Sequence, residues 1–166
     1  MLANRSVPAD HMLAHVVYQD VAGTSAWLAA AFGFVERYRY GDPVSGAQMV
    51  LGGACIMLRA ARPGEATPAQ LGASTQSLTV FVDDVDAHFE RARSAGARIV
   101  EELHETFYGE RQYGAVDPDG HHWLFSRHVR DVAPEEWGAN PAEAPSRPTA
   151  APPSESAPAS GSGRRR

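Results

Sequence analysis

The stretch VDDVDAHFERARSAGARIV, residues 82–100, closes a strand, runs through a helix and opens a second strand. Upstream, SLTVF at 77–81 continues it as a β-branched and aromatic run that ends on Asp83 and Asp84. Val85, Phe89 and Ala92 then fall four and three residues apart, the spacing of one helical face, and Gly96 stops the helix. Asp83, Asp84 and Asp86 resemble a paired-carboxylate site, but acids where a strand hands over to a helix cap the first amides and complement the helix dipole. Downstream come three strand-like runs: ARIVEEL, ERQYGAV and HHWLFSR.

The same grammar occurs 64 residues earlier. LAHVVYQD (13–20) is a strand ending on Asp20, VAGTSAWLAAAFG (21–33) is a helix closing on Gly33, and FVERYRY, AQMVLG and ACIMLRA follow as strands. Gly53 and Gly120 mark the last turn of each half, 67 residues apart. The fold class is therefore α+β, built of two βαβββ modules at about 11–62 and 75–130. A module of about 60 residues is too small to bury its sheet well alone, so the two halves pair. GEATPAQLGAST (64–75) is the linker, and a short helix at about 131–138, starting near Pro134, is expected to pack Trp137 back on the body. Residues 1–138 form the paired domain. From Ala139 to Arg166 half of the 12 prolines occur without one aromatic or large aliphatic residue, the composition of a disordered tail.

Composition bounds the function. At 166 residues and 43% hydrophobic the chain can build one core; no apolar run reaches the roughly 18 residues of a membrane span, and MLANRSVPAD lacks a secretory leader, which predicts a cytoplasmic protein. A single cysteine, Cys55, excludes an internal disulfide and a clustered-cysteine zinc site. All 15 basic residues are arginine; residues 1–138 carry 18 acidic side chains against 11 arginines, a net of −7. Phosphate backbones demand clustered positive charge, so nucleic acid is excluded as a partner and a cationic small molecule is favoured. A Gly-flanked serine elbow, a phosphate loop and an HExxH helix are all missing.

The motif at 82–100, together with YGAVDPDGHHWLF at 113–125 and AAFGFVERY at 30–38, resembles the vicinal oxygen chelate superfamily, which includes glyoxalase I, ring-cleaving dioxygenases and bleomycin-resistance proteins. The resemblance covers residues 11 to about 137. It implies modules forming a cupped mixed sheet around a cavity, often in a homodimer whose partners share the cavities. The superfamily's enzymes hold a divalent metal with His, Gln or Glu at four places, and the matching positions are Leu13, Met57, Ser77 and Leu124. Two aliphatic side chains, a thioether and a hydroxyl do not hold a hard divalent ion. No cofactor is expected.

Alternation along strands puts Leu13, His15 and Val17, then Cys55, Met57 and Arg59, then Ser77, Thr79 and Phe81, then His122, Leu124 and Ser126 on the cup face. Trp123 and Phe125 face the other way, into the core. His11 and His15 stand roughly 13 Å apart in a strand and cannot share an ion. His121 and His122 point to opposite faces, while His88, His104 and His128 are expected in solvent. His15 and His122 are either rim residues or ligand contacts. ETFYGERQYG (105–114) gathers Phe107, Tyr108, Arg111 and Tyr113; in resistance-type family members an aromatic in this region lies against the drug, and Tyr108 is the favoured stacking residue. These aromatics, like Tyr38 and Tyr40, either line the cup or fill the module interface. The candidate ligand-binding set is His15, Tyr38, Met57, Arg59, Phe81, Tyr108, Arg111, Tyr113, His122 and Leu124. The expected function is metal-free binding and sequestration of a flat or cationic antibiotic-like compound; the alternative is a metal-dependent lyase, isomerase or dioxygenase of the same superfamily.

Overall fold

A computed structural model describes residues 12–140. The elements alternate as read: β1 (Ala14–Tyr18), α1 (Val21–Phe32), β2 (Val35–Tyr40), β3 (Gly46–Leu51) and β4 (Ala54–Ala60), then, after a linker turn α2 (Pro68–Leu71), β5 (Ser77–Phe81), α3 (Val85–Ser94), β6 (Arg98–Glu105), β7 (Glu110–Val116) and β8 (His122–His128). A single 3₁₀ turn, Pro134–Trp137, follows. The tail expected at 139–166 falls almost wholly outside the described residues.

Two four-stranded mixed sheets result, in the orders β1-β4-β3-β2 and β5-β8-β7-β6. Each has one parallel pair, β1 with β4 and β5 with β8, and two antiparallel pairs. Both helices start on the aspartate that ends the preceding strand. Asp20 accepts from the Gly23 amide at 2.9 Å and Asp84 from the Ala87 amide at 3.0 Å. Within the linker, Thr67 and Gln70 form a reciprocal capping box with Pro68 in the first turn, and this suffices for one helical turn that sequence reasoning did not mark. That turn docks closely on the β7–β8 connection. Gly120 sits at φ +88°, and a Cβ there would lie 2.8 Å from the Ala69 nitrogen.

Helices α1 and α3 meet each other and form the main seam between modules. Phe32, fully buried, packs on Trp123 and Phe125 of the other module with ring centroids 5.7 and 4.7 Å apart. Arg91 of α3 donates to the Ala29 and Ala30 carbonyls at 2.7 and 2.9 Å, so a cation from one module caps the negative end of the other module's helix. Gly33, at φ +78°, makes room for it: a Cβ there would stand 2.8 Å from an Arg91 guanidinium nitrogen.

A buried carboxylate completes the seam. Asp117 accepts from the Tyr18 hydroxyl at 2.8 Å, the Trp123 indole at 3.0 Å and the amides of Asp119 and His121 at 3.1 and 2.9 Å. Burial and the adjacent Asp117 push the Tyr18 phenol well above its usual pKa. Asp119 receives the Gln19 side chain at 3.0 Å, and the His121 ring bonds the Val17 carbonyl at 2.7 Å. The DPDG segment is thus a turn, as expected, and also the fastening of β1 to the second module.

His88 corrects the expectation of a solvent-facing residue. It is half-buried, with Nε2 2.9 Å from the Phe32 carbonyl, Nδ1 2.7 Å from the Tyr113 hydroxyl, and its ring 4.3 Å from that of Phe125. A carbonyl only accepts, so Nε2 carries the hydrogen and neutral Nδ1 accepts from Tyr113. Burial lowers the His88 pKa, and Arg91 adds to the effect. The unfolded chain then binds the proton more readily, so stability is present above pH about 6.5 and is lost as pH falls through the lower folded value. Urea midpoints measured between pH 7.5 and 5.5 should fall with acidification, with a contribution from this one proton of no more than about 1.4 kcal/mol per pH unit. In His88→Phe the slope in this window should be shallower; an unchanged slope rejects the assignment.

Candidate functional site

The face of each sheet turned away from the helices is the candidate site. In the first module the registers place His15 beside Met57, Met57 beside Gln48 and Gln48 beside Tyr38, forming one row across four strands. In the second module Thr79, Leu124 and Gly114 form the corresponding row, with Phe81, Ser126 and Gln112 next to it. The alternation read from sequence is therefore the alternation observed. Phe81 is 62% and Tyr38 37% exposed, and His15, Ser77, Thr79 and His122 are also exposed.

Each face carries a glutamine that sequence reasoning passed over. Gln48 is completely buried; its Nε2 donates to the Tyr38 hydroxyl at 3.0 Å and contacts the Met57 sulfur at 3.6 Å, while its Oε1 accepts from Arg37 at 3.2 Å. Gln112, 64 residues later, accepts from the Tyr108 hydroxyl at 3.0 Å and donates to Glu101 at 2.9 Å. The repeat offset that located the helices also relates the two glutamines, and it was the signal that could have found them; their tyrosine partners lie 70 residues apart. Glu101 lies 3.4 Å from the His104 ring, and Glu110 accepts from Ser126 and pairs with His128, both at 2.9 Å. The second face thus holds two carboxylates with imidazole and hydroxyl partners.

The proposed site residues divide. His15, Tyr38, Met57, Arg59, Phe81, His122 and Leu124 belong to the open faces, and Tyr108 reaches one through Gln112. Arg59 is held by Glu65, whose carboxyl it depresses to about 2. Tyr113 is instead fully buried on the helix side, against Phe89 and Phe125 at 5.1 and 5.3 Å, and burial pushes its phenol up. Arg111 also leaves the open face: it forms a two-pronged pair with Asp86 of α3 at 2.6 and 2.9 Å, which holds that carboxyl below its usual range. Both stand at odd positions on β7, where the even positions Gln112 and Gly114 face the cup. Trp123 and Phe125 are core residues, as expected. Cys55 is half-buried with its thiol pushed up by burial, the opposite of an activated thiolate. Trp137 packs against Tyr108, ring centroids 6.3 Å apart, and stays partly exposed.

Met57, Ser77 and Leu124 lie along these faces, Leu13 immediately precedes β1, and the four offer a divalent ion no carboxylate or imidazole. Among the described residues no three His, Cys, Asp or Glu side chains gather as a metal-binding group. Among them, too, no helix is long and apolar enough to cross a membrane.

Two linked βαβββ sheets, each with one helix-covered face and one open face, define the class of protein. The chain belongs to the glyoxalase/bleomycin resistance protein/dioxygenase superfamily, whose family model matches residues 9–125. It is 37% identical over 131 residues to uncharacterized proteins of Mycobacterium bovis and Mycobacterium tuberculosis, covering 74% of this chain and 86% and 76% of theirs. Among solved structures it is similar to TioX from Micromonospora sp. ML1, at 35% identity and a TM-score of 0.62, covering 73% of this chain and all of that one. The bleomycin resistance determinant encoded on transposon Tn5 shares the fold at 20% identity and a TM-score of 0.58, over 72% of this chain and 98% of that one.

Proposed function

We infer that the protein is a metal-free binder that encloses a small, flat or cationic compound between the open faces of two copies of the chain. One observation carries this reading: the faces that hold metal in the superfamily's enzymes present Leu13, Met57, Ser77 and Leu124 at the ligand positions, while Tyr38, Phe81 and Tyr108 offer ring surface beside them. Rings give large contact at small conformational cost and suit a planar heterocycle. The carboxylates of Glu101 and Glu110 favour a cation. They also complement Arg37 on the first module's face, which supports a two-fold pairing of one chain's first module with its partner's second. Binding is then by stacking and enclosure, without turnover.

Titration with a cationic phenanthridinium dye tests this. Saturation at 100 times the dissociation constant should stabilise the protein by about 2.7 kcal/mol, and Tyr108→Ala should weaken binding by about tenfold, or about 1.4 kcal/mol. Raising salt from about 0.05 to about 0.5 M should weaken it further by screening the acidic body. Sedimentation should give a dimer. One tightly bound metal ion per chain in protein purified without chelator, or a monomer that binds the dye equally well after Tyr108→Ala, overturns the reading.

A further inference from the structure

We propose that the cavity at the foot of the second module's sheet is a separate site for a small aromatic carboxylate. The cavity measures about 550 Å³, within the range of small-molecule sites, and lies where the linker turn, the β7–β8 connection and α1 converge. Its apolar walls are Pro68, Val116 and Pro118, and the half-buried Trp27 indole forms one side. Arg98 and His122 both pair with Val116 in register, one from each neighbouring strand. Strands lie about 4.8 Å apart, so the two residues stand roughly 10 Å apart at Cα with Val116 between them, close enough for their side chains to meet on one anionic group.

The electrostatics of the lining select that group. Beyond the backbone ladder, the side chains of Arg98 and His122 make no hydrogen bond or ion pair among the described residues. Elsewhere in the second module the guanidinium of Arg91 is engaged by helix carbonyls and that of Arg111 by Asp86. Asp117 also borders the cavity, but its carboxylate already accepts from Tyr18, Trp123 and two amides and is turned into the seam. A guanidinium matches a carboxylate with two parallel hydrogen bonds, and an indole accepts a ring against it. The net negative body opposes an anion only weakly, because charges beyond about 8 Å are screened at physiological salt. Of the candidate residues of the open faces His122 alone also borders this cavity, at the end of its strand; Tyr38, Phe81 and Tyr108 take no part in the lining, and the charge preference is the reverse of theirs.

Calorimetric titration of the full chain with naphthoate, with neutral naphthalenemethanol and with naphthylmethylammonium tests the assignment. Naphthoate should bind at least tenfold more tightly than either analogue. Arg98→Gln, a change at an exposed position whose folding circular dichroism can verify, should weaken naphthoate at least tenfold, and Trp27→Leu should weaken it as well. Tyr108→Ala should leave its affinity within twofold. Absence of naphthoate binding, equal affinity in Arg98→Gln, or loss of binding in Tyr108→Ala each overturns the proposal. The last of these outcomes would move the carboxylate to the open face and leave the reading of that face standing.

Discussion

Replacing Asp117 with alanine should destabilise the protein by about 3–5 kcal/mol, a large share of the 5–15 kcal/mol typical of a domain. The carboxylate serves four donors at once: the Tyr18 hydroxyl, the Trp123 indole and two turn amides. Alanine leaves all four without their acceptor in a place closed to water, and each unsatisfied buried donor costs about 1–3 kcal/mol, less whatever local relaxation recovers. Asparagine should fall between: its oxygen can still accept from the amides, while its NH2 group meets donors. Tyr18→Phe, which removes one donor and leaves the other three bonds, should cost about 1 kcal/mol. Urea unfolding followed by circular dichroism gives the values. A loss below about 1 kcal/mol for Asp117→Ala would show that the network contributes little.

The second large effect is expected at Phe32. Its ring is fully buried among Trp27, His88, Trp123 and Phe125, with centroid distances from 4.7 to 6.3 Å. Phe32→Ala removes the ring from the middle of the seam, where rigid neighbours on both sides cannot collapse into the space, and should cost about 3–5 kcal/mol. Phe32→Leu, which fills part of the volume, should recover roughly half. Trp123 touches both Phe32 and Asp117, so the double variant should depart from additivity by more than about 0.5 kcal/mol. Strict additivity would mean that the two contacts hold the modules independently.

Most of the frame was legible because it is local. A strand closing on aspartate, an apolar helix face and a terminal glycine occur twice at one offset, and β4 and β7 fall at the expected residues 54–60 and 110–116. The linker turn was missed although Thr67, Pro68 and Gln70 spell a capping signal, because four residues present no periodicity. His88 was also readable: it lies three after Val85 and four before Ala92, on the stripe that Phe89 already marked as buried. Tyr113 was misplaced because the face of β7 was left open, although its pairing with Phe125 puts both on the same side. The Tyr18–Asp117 bond was not readable by any local rule, since 99 residues separate its ends.

The positions of the three tryptophans have an optical consequence. Trp27 and Trp123 flank Phe32 inside the seam, whereas Trp137 stands half in solvent beside Tyr108. The native emission spectrum is then a sum of a blue component that reports whether the halves remain joined and a redder one that reports what arrives at the cup. Selective quenching by iodide, which reaches Trp137 but not the fully buried Trp123, separates these two indoles without any label.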